Sequence, residues 1–267
     1  MKESTSNFIH PRPTNIVILS QARTGSCLLC NIFGMLNPCR NLNEFFLSYK
    51  FAENPANWEI LPHRHFLKKA EREYLFDSLK IKLNDYVSLL KYFSENPEPG
   101  LELLDNAIPA TKIIKILDHQ MANMNVNFLF QKENTKFVLL DRSNKLEQFV
   151  SFEIAKNSGH WVNTNTNDVK MHVDRTAFVN FVNESTHWYD QIRHQLTSNG
   201  HNFLEINYET DLNTDSLDPV IFKIRDWLSI QGIETVVGSR WIFYKKQNTL
   251  PMPEKILNFN EIKDLIN

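Results

Sequence analysis

The chain reads as an α/β protein, a three-layer α/β/α domain on a mainly parallel central sheet with a helical insertion. Short apolar runs at 16–19, 112–117, 136–140 and 203–206 alternate with helical patterns, as strands joined by crossover helices require. The 267 residues, 42% of them hydrophobic, supply one sizeable core, so residues 1–267 are taken as a single domain. The first apolar run also leads straight into a loop of small residues and then a helix, an arrangement suited to holding an anion.

Taken in order, residues 1–14 contain Pro11 and Pro13 and form a lead-in. Ile16, Val17, Ile18 and Leu19 are bounded by polar residues and predict a buried strand. Leu28, Leu29, Ile32, Phe33 and Leu36 recur at helical spacing and predict a helix to about Asn37, ended by Pro38. Residues 41–100 are expected to be helical and charged, with Lys68, Lys69, Glu71, Arg72 and Glu73 ahead of Leu75, Leu79 and Leu83. Pro97-Glu98-Pro99-Gly100 breaks that pattern, and the helical insertion is placed at about 45–108. Ile113, Ile114 and Ile116 mark a second strand over 112–117, and a third follows at 136–140. A helix is expected over 145–156, a polar surface loop over 157–168 and a long helix over about 176–196, closed by Asn199-Gly200. Residues 203–206 supply a fourth strand and 218–230 a further helix, before a tail from Arg240 with Pro251 and Pro253.

Composition narrows the function classes. A net charge of -2 gives no reason to expect a nucleic-acid partner, so any basic patch is local. No signal-peptide pattern opens the chain and no apolar stretch is long enough to span a bilayer, which predicts a cytoplasmic protein without membrane insertion. Cys27, Cys30 and Cys39 are too few for a disulfide framework and are expected as free thiols. Cys27-Leu28-Leu29-Cys30 matches C-x-x-C, but no second pair completes a zinc site. His187, His194 and His201 recur every seven residues, and His63 and His65 flank Arg64, yet neither group has the partners of a metal centre.

The chemistry concentrates in two segments. Thr24, Gly25 and Ser26 place small side chains and bare N–H groups at a helix N-terminus, and Arg23 adds a fixed cation beside them. An ATP- or GTP-binding loop also needs a Lys after its second Gly, and none is present. The second segment, Phe137 to Ser151, puts Arg142 at a strand end and Ser151 two turns into the next helix. In a parallel sheet both would open onto the carboxyl edge, which invites a ligand with two separated anionic groups.

These two segments together resemble the sulfotransferases that use 3′-phosphoadenosine 5′-phosphosulfate, in their bacterial and carbohydrate-modifying branch. Arg142, Asn144, Leu146, Gln148, Val150 and Ser151 match the R-x-N-x-L-x-Q-x-V-S motif of that branch. Ala155 and Trp161 resemble its continuation, and Asn41-Leu42-Asn43-Glu44-Phe45-Phe46 resembles its acidic segment. Tyr208-Glu209-Thr210-Asp211-Leu212 is similar to its Y-E-x-L element with one residue more, and Lys246-Gln247-Asn248-Thr249 to its closing C-terminal segment. Residues 49–109 match nothing in the family, and many members have Lys at Arg23 and Thr at Cys27.

The resemblance implies a P-loop-type fold and the phosphosulfate nucleotide as sulfuryl donor, with no metal required because the transferred sulfonate carries one charge. Arg23 and the amides of Thr24, Gly25, Ser26 and Cys27 are then expected to hold the 5′-phosphate, and Arg142 with Ser151 the 3′-phosphate. Glu44 is implied as the general base and His119 is the alternative, while Lys115 or Lys112 would stabilise the sulfonate. Lys246, beside Lys245, is expected to bind phosphate from the closing tail. The acceptor is a hydroxyl of a carbohydrate or small molecule, with Phe45, Phe46, Tyr49 and Trp58 either lining its pocket or packing a core. Two rivals remain: an inactive nucleotide-binding module and a P-loop kinase or NTPase. The oligomeric state is not readable.

Overall fold

A computed structural model of the protein describes residues 14–46, 67–123, 126–161, 164–238 and 247–266. The expectations placed on Tyr49, Trp58, His63, Arg64, His65, Lys245 and Lys246 lie outside these residues.

The chain begins with β1 (Asn15–Ser20), α1 (Ser26–Gly34), β2 (Leu36–Asn37) and β3 (Arg40–Asn43). The insertion contributes α2 (Lys69–Ser78), α3 (Tyr86–Glu95) and α4 (Pro97–Ala107). Then come β4 (Lys112–Leu117), the short α5 (Asp118–Asn123), β5 (Thr135–Asp141), α6 (Lys145–Ser158) and the long α7 (Arg175–Ser198). β6 (Leu204–Asn207), a π-type turn over Tyr208–Leu212, α8 (Asp218–Ile230), β7 (Val236–Val237), α9 (Met252–Lys255) and α10 (Phe259–Ile262) complete it.

The main sheet has the order β3-β4-β1-β5-β6, and every neighbouring pair is parallel. β1 is central, with Asn15 to Ser20 opposite Lys112 to Leu117 on one side and Thr135 to Leu140 on the other. Layers cover both faces, so the central strands β1 and β5 are apolar on both and read as continuous hydrophobic runs. Val17, Leu19, Ile114, Ile116, Phe137 and Leu139 pack against the insertion helices and α7. Ile16, Ile18, Ile113, Val138, Leu140 and Ile206 pack against α1 and α8. A smaller cluster joins α6 and the start of α7 to Ile256 and Ile262 near the C-terminus.

The period of two along β4 separates its two lysines, three positions apart, onto opposite faces. Lys112 faces the insertion, where Nζ lies 3.0 Å from Asp105 Oδ1 and donates to the Ile108 carbonyl at 3.1 Å. Burial holds its pKa below the ordinary lysine value, against the pull of Asp105. Lys115 faces α1.

Three boundaries differ from the sequence expectation. α1 stops at Gly34, because Leu36–Asn37 pairs antiparallel with Val236–Val237, a contact between residues two hundred positions apart that no local pattern encodes. Arg40–Asn43, placed in a helical region, is an edge strand; Arg-Asn-Leu-Asn is short and polar, and it pairs with β4 alone through an irregular register at Asn41 and Asn43. Pro97 opens α4 rather than ending helical structure, since its missing N–H is no loss in a first turn. Phe45 and Phe46 are core residues, with the Phe45 ring 4.7 Å from that of Phe93 edge-on.

α3 and α4 meet closely at Gly100, where an added Cβ would lie 2.4 Å from Cδ1 of the fully buried Phe93. Gly100→Ala is therefore expected to destabilise the domain by about 1–3 kcal/mol despite alanine's better helix propensity. Urea unfolding checks this, and an unchanged or raised midpoint would contradict the packing.

Candidate functional site

The loop after β1 holds an uncommon backbone. Arg23 (φ 65°) and Gly25 (φ 85°) both lie in the left-handed region, which a residue with a Cβ adopts only when its surroundings impose it. Gly25 occupies the N-cap of α1, no side chain caps the helix and its first turn contains no acidic residue. Its leading amides are thus not spent on a capping side chain. The Thr24 hydroxyl turns inward and donates to the Gln21 carbonyl at 2.9 Å, closing the turn.

The second motif grips this loop from the turn after β5 and from α6. Arg142 Nη1 donates to the Arg23 carbonyl at 3.0 Å and Gln148 Nε2 to the Ala22 carbonyl at 3.0 Å. Asn144 caps α6 by accepting from the Glu147 amide at 2.9 Å. Ser151 accepts from Arg23 Nε at 2.9 Å. The two segments singled out in the sequence therefore form one unit.

The two arginines in it have different surroundings. Arg142 is buried, with Nη2 at 2.8 Å from Glu147 Oε2, Nε donating to Glu209 Oε1 at 3.1 Å and its guanidinium 4.4 Å above the Tyr208 ring. Glu209 also accepts from the Ser143 amide at 2.8 Å, so the Tyr-Glu element braces the same turn. Arg23 meets neutral acceptors: Ser151, the Trp161 carbonyl and the Gln247 side-chain carbonyl. Burial draws its pKa below the usual arginine value; Cys27 opposes this and Arg142 adds to it. It remains a cation. Gln247 Nε2, the other end of that amide, is buried without a hydrogen-bond partner among the described residues.

Across the loop mouth, Glu44 follows the end of β3 and meets Lys115. Lys115 Nζ lies 2.6 Å from Glu44 Oε1 and 3.2 Å from Cys27 Sγ, and the lysine is only 1% exposed. Burial opposes its charge, but Cys27, Glu44 and Cys30 outweigh it and hold the lysine pKa above the ordinary value. Gln120 Nε2 reaches Glu44 Oε2 at 3.4 Å.

The structure thus brings together Arg23, Thr24, Gly25, Ser26, Cys27 and Ser151 in one group, and Glu44 and Lys115 beside Cys27. Ser151 pairs with Arg23 rather than with Arg142, whose charge Glu147 and Glu209 already meet. Lys112 is remote from the mouth by strand parity, and His119 is exposed beside Asp118 at 3.5 Å. His201 is structural, since Nε2 lies 2.8 Å from the Phe130 carbonyl and the ring packs on Phe137. The sequence reading missed Gln120 and the bracing role of Glu147. Gln120 stands three residues after Leu117, a capping-box spacing that offered a signal.

Among the described residues no group of His, Cys, Asp or Glu is arranged to hold a metal ion, and no helix is long and apolar enough to cross a membrane. No protein-family model matches the chain, and no curated protein matches it. Among solved structures, the chain is similar to the sulfotransferase domain of the olefin synthase from Synechococcus PCC 7002, at 14% identity and a TM-score of 0.44, over 95% of this chain and 84% of that one.

Two outcomes follow from this geometry. A Cβ on Gly25 would lie 2.5 Å from the Tyr208 ring at a φ that disfavours side chains, so Gly25→Ala is expected to lower the melting temperature and to weaken anion binding, read by thermal shift with and without phosphate. Burial pushes the Cys39 thiol up to about 12 and that of Cys30 higher still, whereas Cys27 is partly exposed. Ellman's reagent should accordingly modify one thiol of the folded chain quickly, and Cys27→Ser should abolish that fast phase.

Proposed function

We propose that the protein is a sulfotransferase that moves a sulfuryl group from 3′-phosphoadenosine 5′-phosphosulfate to a hydroxyl of a carbohydrate or small alcohol. The observation that carries this reading is the Lys115–Glu44 pair, 2.6 Å apart, at the uncapped N-terminus of α1. A carboxylate that can take a proton and a cation that can meet developing charge stand at one anion-binding mouth. The sequence resemblance of both motifs supports the same chemistry.

The residues fit an anionic nucleotide in three respects. Among the described residues, the first turn of α1 has amides without a side-chain cap, Arg23 meets neutral acceptors, and Gln247 Nε2 is a buried donor with no acceptor. In this reading the amides from Thr24 to Cys27 take the 5′-phosphate. Arg23, Ser151 and Gln247 take the 3′-phosphate, and Arg142 holds the loop rather than the ligand. Lys246 would join from the closing tail.

The donor supplies a sulfonate whose bond to the 5′-phosphate breaks as the acceptor oxygen attacks sulfur in line, leaving adenosine 3′,5′-bisphosphate. Glu44 accepts the acceptor's hydroxyl proton. As that proton arrives, the carboxylate loses its charge and Lys115 is no longer neutralised by it. The ammonium then faces the oxygen on which negative charge accumulates, so proton removal and charge stabilisation are coupled through one ion pair.

Titration calorimetry tests the reading without knowledge of the acceptor. Adenosine 3′,5′-bisphosphate should bind in clear preference to adenosine 5′-phosphate and to ATP with magnesium; no binding, or preference for ATP with magnesium, would overturn it. Arg23→Ala should cut bisphosphate affinity about 10- to 100-fold, the equivalent of roughly 1.5–3 kcal/mol for a charge-assisted bond, and should erase the preference over adenosine 5′-phosphate. Glu44→Gln should keep bisphosphate affinity and lower turnover by about 10² to 10⁴ once an acceptor is in hand. Unchanged turnover would remove Glu44 from the base role.

A further inference from the structure

Glu44 is held from two sides, and the second side is set by a group outside the two anion motifs. Gln120 is the third residue of α5 and is buried, 4% exposed. Its Oε1 accepts from the Leu117 amide at 2.9 Å, the reach of an N3 side chain back to the residue before the helix. That bond decides which way the amide is turned. With the oxygen committed to Leu117, only the NH2 end can face Glu44, and Nε2 lies 3.4 Å from Oε2. Lys115 holds the other carboxylate oxygen at 2.6 Å.

We infer that Gln120 is a positioning residue for the Glu44 carboxylate, fixing its plane so that its second oxygen is offered at the mouth of the loop. This rests on the sulfuryl-transfer reading only for its purpose; the placement itself stands on the geometry. At 3.4 Å the contact is long and weak, so its value lies in orientation, which matters because a base must meet its proton within hydrogen-bond reach. The same helix is tied to the anion loop: Gln21, the first residue after β1, donates to Asp118 Oδ2 at 3.2 Å and accepts from Ser185 at 2.6 Å. α5 therefore sets the base relative to the loop as well as relative to the lysine.

Among the described residues, the titratable groups around Glu44 are Lys115 from β4 and Cys27 and Cys30 from α1. On α5 itself stand Asp118 and His119, which lie 3.5 Å apart. Gln120 is the neutral donor in this set.

Gln120→Glu separates the two roles of the side chain. Glutamate at this helix position caps as well as glutamine does, but it turns a carboxylate oxygen toward Glu44 in place of the NH2 group. In protein labelled with ¹³C at the glutamate carboxyl, with Glu44→Gln identifying the signal, one of the paired carboxyls of Gln120→Glu should titrate at least about one pH unit above the parent Glu44 signal. The shift should vanish in the Gln120→Glu, Glu44→Gln double variant. Gln120→Met, which removes the donor without adding charge, should move the Glu44 signal in the same direction by less. A Gln120→Glu protein in which neither carboxyl of the pair titrates above the parent Glu44 signal, or a folded Gln120→Met protein whose Glu44 signal titrates as in the parent, would overturn the inference and leave Gln120 as a helix cap only. Failure of adenosine 3′,5′-bisphosphate to bind the parent would refute the proposed activity, and the titration would still decide the placement of Glu44.

Discussion

The left-handed backbone of the loop after β1 is the constraint on which the rest of the site depends. A turn with Arg23 at φ 65° does not persist by itself, and its neighbours over-determine it. Arg142 and Gln148 pull on the carbonyls of Arg23 and Ala22 from one side, Thr24 closes the turn from within, and Tyr208 fills the space above Gly25. Arg142, Gln148 and Thr24 each satisfy a backbone oxygen that the turn would otherwise leave bare, whereas Tyr208 acts by filling space. The helix that begins at Ser26 can then present its amides without a side chain across them.

The three cations around this loop differ in their partners. Arg142 sits between two carboxylates and a ring, an arrangement that makes a buried cation tolerable. Among the described residues Arg23 has hydroxyl and carbonyl partners, and none of these neutralises its charge. Lys115 is intermediate: it is neutralised, but by a carboxylate whose own charge can be cancelled by a proton. These three cations differ little as letters in a sequence and differ greatly in what surrounds them.

Much of this architecture was legible from residues in order. Ile16 to Leu19 is apolar because both faces of the sheet are covered, and Ile113 to Leu117 is apolar apart from Lys115, so their strands stood out; Thr24-Gly25-Ser26 and the Arg142 to Ser151 spacing singled out the two segments, the second of them read as an anion site and not as the brace of the first. β3 was not legible, because an edge strand with one partner needs no continuous apolar face. Nor was the two-residue ladder of Leu36–Asn37 with Val236–Val237, whose partners are far apart in the chain. Within the site, residue types were readable and pairings were not. By spacing alone Ser151 could equally have met either arginine, and in the fold it accepts from Arg23.

The opposite orientation of the two β4 lysines bears on what the chain can accept over time. The connection from α4 into β4 spans only residues 108–111, so a single residue gained or lost there has little slack in which to be absorbed. If it slipped the strand by one, Lys112 would turn toward α1 and Lys115 toward the insertion, while Ile114 and Ile116 would trade layers with Ile113 and Leu117. Glu44 would lose Lys115, and Asp105 would lose Lys112 and keep Lys132 at 3.7 Å. The length of that connection is thus under a tighter constraint than its composition, and variation in this lineage should enter there by substitution, with insertions and deletions confined to loops whose neighbours do not count residues in pairs.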